Sequence, residues 1–162
     1  MTFVQSALLF AIATALHNLE EAIWLPEWSR NAGRWHHAVE RDEFRFAVIV
    51  LTLLAVLSVV LAIHQGKESL GAYLVTGYAL AMLLNVLLPH VVGSLVMRRY
   101  MPGTATAVLL NLPVTLYVLN LGFRECYIDS HTFVIVGPAV VVSIVGLIPL
   151  LFWAGRRFQA RP

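Results

Sequence analysis

The first apolar segment of the chain contains a histidine and two adjacent glutamates, in the stretch "LHNLEEAIW" that runs from Leu16 to Trp24. His17 precedes Glu20 by three residues and Glu21 by four, so a helix would place all three side chains on one face. Neutral imidazole and carboxylate groups are common ligands of zinc and iron. The spacing therefore predicts a metal site, or a paired acid and base, inside this helix.

Composition places that segment in a membrane. Hydrophobic residues make up 59% of the 162 residues and charged residues 12%, whereas soluble domains contain roughly 25% charged residues. The net charge of +2 is spread over the predicted loop ends, so we expect no nucleic-acid partner. The expected partners are membrane lipids and a small or lipid-like substrate, and the sequence leaves homo-oligomerisation open.

Five apolar runs are each long enough to span a bilayer, which needs about 20 residues per helix. They cover approximately residues 2–25, 44–64, 70–96, 103–123 and 131–155. The sequence thus predicts an all-α membrane protein, with residues 1–162 forming a single transmembrane bundle of five helices. We expect the proline of "LPEW" to end the first helix.

The positive charges orient this bundle. Nine of the eleven lysines and arginines lie in the first loop, the third loop and the tail, and only Lys67 and Arg124 lie in the other two loops. The positive-inside rule puts the nine in the cytoplasm, with the N-terminus outside and the C-terminus inside.

Polar residues of three predicted helices then lie at a similar depth. His17, His90 and Asn111 are each eight residues from the predicted inner boundary, or about 12 Å at 1.5 Å per residue. Asn85 is slightly deeper, and the two glutamates slightly shallower. We expect one pocket that faces the cytoplasm, in which Asn85 or Asn111 orients the substrate or stabilises an oxyanion.

Two carboxylates inside an apolar helix must be neutralised, because each costs about 2.5–3.5 kcal/mol at the centre of a span. They could pair with arginines at the inner surface, keep one proton, or bind a cation. The neighbouring histidines favour a divalent cation, zinc or iron, with a ligand set drawn from His17, Glu20, Glu21 and His90.

A second His/Glu face occurs in the first loop, in "WHHAVERDEF". His36 and His37 lie four and three residues before Glu40, so an interfacial helix would align them. This helix could fold over the pocket and add ligands. The alternative is a solvated charged face with matching arginines.

Three motifs resemble those of the HXXEE family of small bacterial membrane proteins: "HNLEE" at 17–21, "NVLLPH" at 85–90 and "RRYMPGTAT" at 98–106. The resemblance extends from the first span through the fourth. It implies a protein integral to the bacterial cytoplasmic membrane, with enzymatic activity. The implied site residues are His17, Glu20, Glu21, Asn85 and His90, and the resemblance leaves Arg98, Tyr100, Pro102 and Gly103 as structural residues of a turn.

The leading hypothesis is a metal-dependent enzyme, a hydrolase or an oxidoreductase, that activates water or an oxidant. One glutamate would bind the metal while the other removes a proton from bound water. The alternatives are a metal-free glutamate-type intramembrane hydrolase, a di-iron oxidase, and a proton- or cation-coupled transporter. Each alternative meets an objection in the sequence. Glutamate-type intramembrane proteases have an arginine four residues after their second glutamate, where this chain has Leu25. A di-iron site needs more carboxylates than we can place at this depth, and many transporters are built from repeats, of which we find none.

Overall fold

The computed structural model describes residues 1–33 and 37–159, which form helices and connecting turns and contain no strand. The described residues form five long helices: α1 (Phe3–Arg30), α2 (Arg41–Gln65), α3 (Leu70–Met97), α4 (Thr104–Arg124) and α5 (Ser130–Gln159). All five are long and apolar enough to cross a membrane. The five predicted helices are therefore confirmed, with small shifts at their ends.

Helix α3 lies at the centre of the bundle, where it packs against α2, α4 and α5, while α1 packs against α2 and α4. The main core contains large buried side chains from four of the helices, including Phe10, Val59, Val75 and Val118. A smaller core of Leu25, Phe44, Val48 and Met101 lies at the end of the bundle that carries the turn between α3 and α4. The polar motifs are located at this end.

Helix α1 continues through Pro26 to Arg30, so the prediction that "LPEW" ends it is wrong. A proline inside a helix has no N–H to donate, which leaves the carbonyl four residues earlier without its partner. Here that carbonyl belongs to Ala22, and the Arg45 Nε of α2 donates to it at 3.2 Å. A contact from another helix therefore allows α1 to extend beyond the proline.

Helices α3 and α4 are both irregular where they face each other. In α3 the regular helix runs over Leu70–Asn85, and the segment Val86–Val91 contains a non-helical residue, Leu88 (φ −127°, ψ 114°), followed by a cis peptide bond to Pro89. Helix α4 contains a wide π-helical turn at Ala107–Asn111. Such turns recur at functional sites, and these two segments carry His90 and Asn111.

The contact between α2 and α3 provides a test of this packing. A Cβ atom at Gly71 would lie 2.3 Å from the Ala62 backbone nitrogen, so Gly71→Ala must separate the two helices. Overpacking of this kind costs about 1–3 kcal/mol, and we expect the Tm in detergent to fall by about 2–12 °C. The matched control is Gly146→Ala, because a Cβ there has no neighbour within 4 Å. Equal melting temperatures for the two variants would contradict the described packing.

Candidate metal centre

His17, Glu21 and His90 converge between α1 and the irregular segment of α3. One ligand atom from each lies within 4.8 Å of the others. The Glu21 carboxylate is 3.2 Å from His90 Nε2 through Oε1 and 3.7 Å from His17 Nε2 through Oε2. The two imidazole rings are nearly perpendicular, with their centroids 4.8 Å apart. Two nitrogens and one carboxylate thus face a common point, as zinc and iron sites require.

His90 is fully buried, yet neither ring nitrogen makes a hydrogen bond to the described residues. Its Nε2 approaches Glu21 closely, but the angles do not fit a hydrogen bond. Buried polar atoms are rarely left without a partner, because desolvation then goes uncompensated. A metal ion between the side chains would give this nitrogen its partner, so the residues present fit a divalent metal.

Glu20 points away from this cluster, towards the turn between α3 and α4. Its Oε1 accepts hydrogen bonds from the Tyr100 hydroxyl and, at 2.9 Å, from the Gly103 N–H. Its Oε2 accepts from the Thr106 hydroxyl at 2.6 Å and from the Thr106 N–H at 3.2 Å. Because only an ionised carboxylate accepts four such bonds, Glu20 is a buried anion that caps the N-terminus of α4.

Tyr100 lies in the turn outside the spanning segments. Partial burial, followed by the hydrogen bond to Glu20, raises the pKa of the Tyr100 hydroxyl. The hydroxyl therefore remains a donor to the carboxylate over the neutral pH range.

Thr106 connects Glu20 to the cluster. Its hydroxyl lies 2.6 Å from Glu20 Oε2 and 3.0 Å from His17 Nδ1, with a longer contact of 3.2 Å to the Gly103 carbonyl. The short bond to the charged carboxylate takes the single hydroxyl proton, so Thr106 accepts the Nδ1–H of His17. This fixes the histidine tautomer. The Nε2 lone pair then accepts from the Asn85 amide at 3.1 Å and lies 3.7 Å from Glu21 Oε2.

Gly103 allows the turn to approach the imidazoles closely. It has a φ of +93°, and a Cβ there would lie 2.5 Å from His90 Cε1 and 3.1 Å from His17 Cε1. Glycine is the residue that adopts a positive φ without strain. Gly103 therefore lets the turn pack directly against both imidazole rings. This agrees with the structural role that the resemblance implies for the turn.

The structure places the two predicted asparagines differently. The Asn85 Nδ2 lies 3.1 Å from His17 Nε2, at the edge of the cluster. Asn111 is fully buried in the π-helical turn, and neither of its amide atoms has a hydrogen-bond partner in the described parts of the chain. Asn85 is thus next to the candidate metal ligands, whereas no hydrogen bond links Asn111 to them.

The described residues of the predicted second cluster, His37 and Glu40, are not part of this group. His37 and Glu40 are exposed and precede α2 in a non-helical segment, so the predicted interfacial helix is wrong for these residues. Glu40 pairs with Arg30 at 3.3 Å. His36 lies outside the described residues. Within the described ranges, the arginine ion pairs are with Glu40 and Glu43, and the ion pairs of α1 carboxylates are those of Glu21 with His17 and His90.

Sequence reasoning missed Thr106 and Asn18. The signal for Thr106 was a hydroxyl in the first turn of the fourth helix, three residues after Gly103. Asn18 donates to Thr52 Oγ1 at 2.7 Å and lines a cavity of about 320 Å³ together with Glu21 and Asn85. Most other residues around this cavity are apolar, so the candidate metal centre borders a largely hydrophobic space.

Comparisons with known proteins identify the family. The family described as "Protein of unknown function with HXXEE motif" matches residues 8–118, a range that includes every residue of the cluster and of the turn beside it. The chain is also 38% identical over 148 residues to the "Uncharacterized protein YrkK" of Bacillus subtilis (strain 168), which covers 91% of this chain and 94% of that protein. No solved structure gives a significant match. The chain belongs to the HXXEE family.

Proposed function

We propose that the protein is a metal-dependent enzyme of the bacterial cytoplasmic membrane, in which His17, Glu21 and His90 hold zinc or iron. The observation that carries this proposal is the convergence of these ligand atoms within 4.8 Å around a buried histidine with no hydrogen bond. The substrate is small or lipid-like, because the cluster borders a mostly apolar cavity.

Two histidines and one carboxylate form a ligand set that leaves coordination positions open. When bound, zinc or iron would activate water for hydrolysis, or an oxidant for oxidation. Glu21 and Asn85 line the adjoining cavity. The Asn85 amide is therefore placed to donate a hydrogen bond to a substrate oxygen and to orient it towards the cluster.

Glu20 acts as a positioning residue in this proposal. Both of its oxygens are engaged by the turn and by the start of α4. It therefore has no free lone pair directed at the cavity, as a general base would need. Through Thr106, Glu20 holds His17 with its Nε2 available for the metal.

The proposed orientation has the N-terminus outside and the C-terminus in the cytoplasm. Its support is the asymmetry of lysines and arginines among the loops and the tail. The candidate metal centre lies beside the turn between α3 and α4, which carries Arg98 and Arg99. The site is then close to the cytoplasmic surface.

Metal content tests the ligand assignment. We expect the purified protein to contain close to one zinc or iron per chain by elemental analysis, and His17→Ala or His90→Ala to lose most of it, because each removes one of three ligands. His64→Ala is the matched control, since His64 is exposed near the end of α2. Full metal retention in both site variants would refute the assignment, and purified protein without zinc or iron would favour a metal-free hydrolase.

Thr106 tests the tautomer argument. Thr106→Val keeps the shape of the side chain but removes the acceptor for His17 Nδ1, whereas Thr106→Ser retains the hydroxyl. Loss of such an outer contact weakens metal binding about 10–100-fold. We expect this loss in the valine variant alone, measured by competition with a chelator at matched thermal stability. Similar affinities in the two variants would show that the hydroxyl does not position His17.

The single cysteine tests the orientation. Cys126 is exposed in the turn between α4 and α5, on the side proposed to be outside. A membrane-impermeant maleimide should therefore label Cys126 in intact spheroplasts, and Cys126→Ser should abolish the labelling. For comparison, a cysteine introduced by Arg99→Cys in the Cys126→Ser background should react only after lysis. The reverse pattern would invert the proposed topology.

A further inference from the structure

The cavity beside Glu21 is lined by a few polar residues and many apolar ones. Its volume is about 320 Å³. Three of its residues carry polar groups at the α1 and α3 end, namely Asn18, Glu21 and Asn85, and the walls come mainly from apolar side chains of α2, α3 and α5. Such an arrangement separates the part of a ligand that reacts from the part that is only bound.

We infer that this cavity binds a single hydrocarbon chain whose uncharged, oxygen-bearing head group lies at Glu21 and Asn85. The substrate class is then a neutral single-chain amphiphile, such as a long-chain alcohol, aldehyde, ester or amide. A reaction at the head group would require the proposed metal centre, so in that respect this inference rests on the proposed function. Binding of the hydrocarbon chain depends only on the cavity.

The polar groups available to such a ligand are few. The Tyr78 hydroxyl donates to the Leu51 carbonyl at 2.8 Å, so Tyr78 offers the cavity only its ring. The Asn18 amide donates to Thr52. Asn85 donates one N–H to His17 Nε2 at 3.1 Å, which leaves its second N–H and its amide oxygen. These groups and Glu21 are the polar groups that face the space beside the cluster, which suits one small head group and not a polyhydroxylated molecule.

Charge favours an uncharged head group. Among the described residues that line the cavity, Glu21 is the one with an acidic or basic side chain, and none is lysine or arginine. A divalent cation at the cluster would be balanced by Glu21 and by the buried Glu20 anion beside it. A carboxylate or phosphate head would therefore meet no net positive charge, and its desolvation would not be compensated.

The volume limits the length of the chain. Liquid water gives each molecule about 30 Å³ and a methylene group is of similar size, so about 320 Å³ holds roughly ten non-hydrogen atoms. Val145 of α5 lines the cavity and is 59% exposed on the outer surface of the bundle. The cavity thus reaches the face of the protein that the bilayer would cover, and a membrane-dissolved chain has a lateral route into it.

The test is the dependence of binding on chain length. Straight-chain alcohols and hydroxamates of about two to fourteen carbons would be titrated into purified protein, with each affinity expressed against the free concentration of the probe in water. Each buried methylene is then expected to tighten binding about fourfold until the cavity is full, near ten carbons. Ala81→Leu narrows the cavity and should shorten the optimal chain by about three carbons. Ser143→Leu is the control, because Ser143 lines a separate pocket on α5. Each probe partitions into detergent to the same extent in every experiment. Differences in affinity between the variants therefore arise from the cavity.

The outcomes separate the two proposals. A profile that does not rise with chain length in metal-containing protein overturns this inference and leaves the metal centre standing. A rising profile for alcohols, shortened by Ala81→Leu, in protein that contains no zinc or iron as purified and takes up neither ion supports the chain-binding cavity and overturns the proposed metal-dependent enzyme. Alkyl carboxylates that bind more tightly than alcohols of equal length overturn the assignment of an uncharged head group.

Discussion

Buried between α1 and the start of α4, the Glu20 carboxylate accepts four hydrogen bonds from Tyr100, Gly103 and Thr106. A charge in an apolar bundle is tolerated only when its acceptor sites are filled, and here they are filled by a turn distant in sequence. The same bonds supply partners for N–H groups that the first turn of a helix leaves unpaired. The contact therefore provides hydrogen-bond partners both for the Glu20 carboxylate and for the N–H groups at the start of α4. It also joins α1 to the turn that packs against the histidines.

The adjacent glutamates have different roles because neighbouring residues on a helix point about 100° apart. Glu20 faces the turn, and Glu21 faces His17 and His90. Thr106 links the two environments, since it contacts both the Glu20 carboxylate and the His17 ring. The arrangement resembles metal sites in which an outer carboxylate orients a histidine ligand, with a hydroxyl inserted between them.

Broken helices create the space for this site. His90 lies just after the non-helical Leu88 in α3, and its ring packs against Gly103 where a side chain would collide. Inside a bilayer, the backbone groups that a broken helix leaves free need a partner from elsewhere in the protein. At Pro26 the same requirement is met by Arg45, which donates to the carbonyl that the proline leaves free.

The sequence by itself determined the five helices, because their apolar runs reach the length of a bilayer, and it determined that His17 and Glu21 share a face, because four residues make about one turn. It also predicted that His90 would meet His17, and the two ring centroids lie 4.8 Å apart. The tertiary structure alone decided that Glu20 binds Thr106 and Tyr100 and that α1 continues past its proline. It also decided that the loop residues His37 and Glu40 are exposed and separate from the cluster of His17, Glu21 and His90. Local spacing defines one face of one helix, whereas these features depend on which side chains packing brings to that face from elsewhere in the chain.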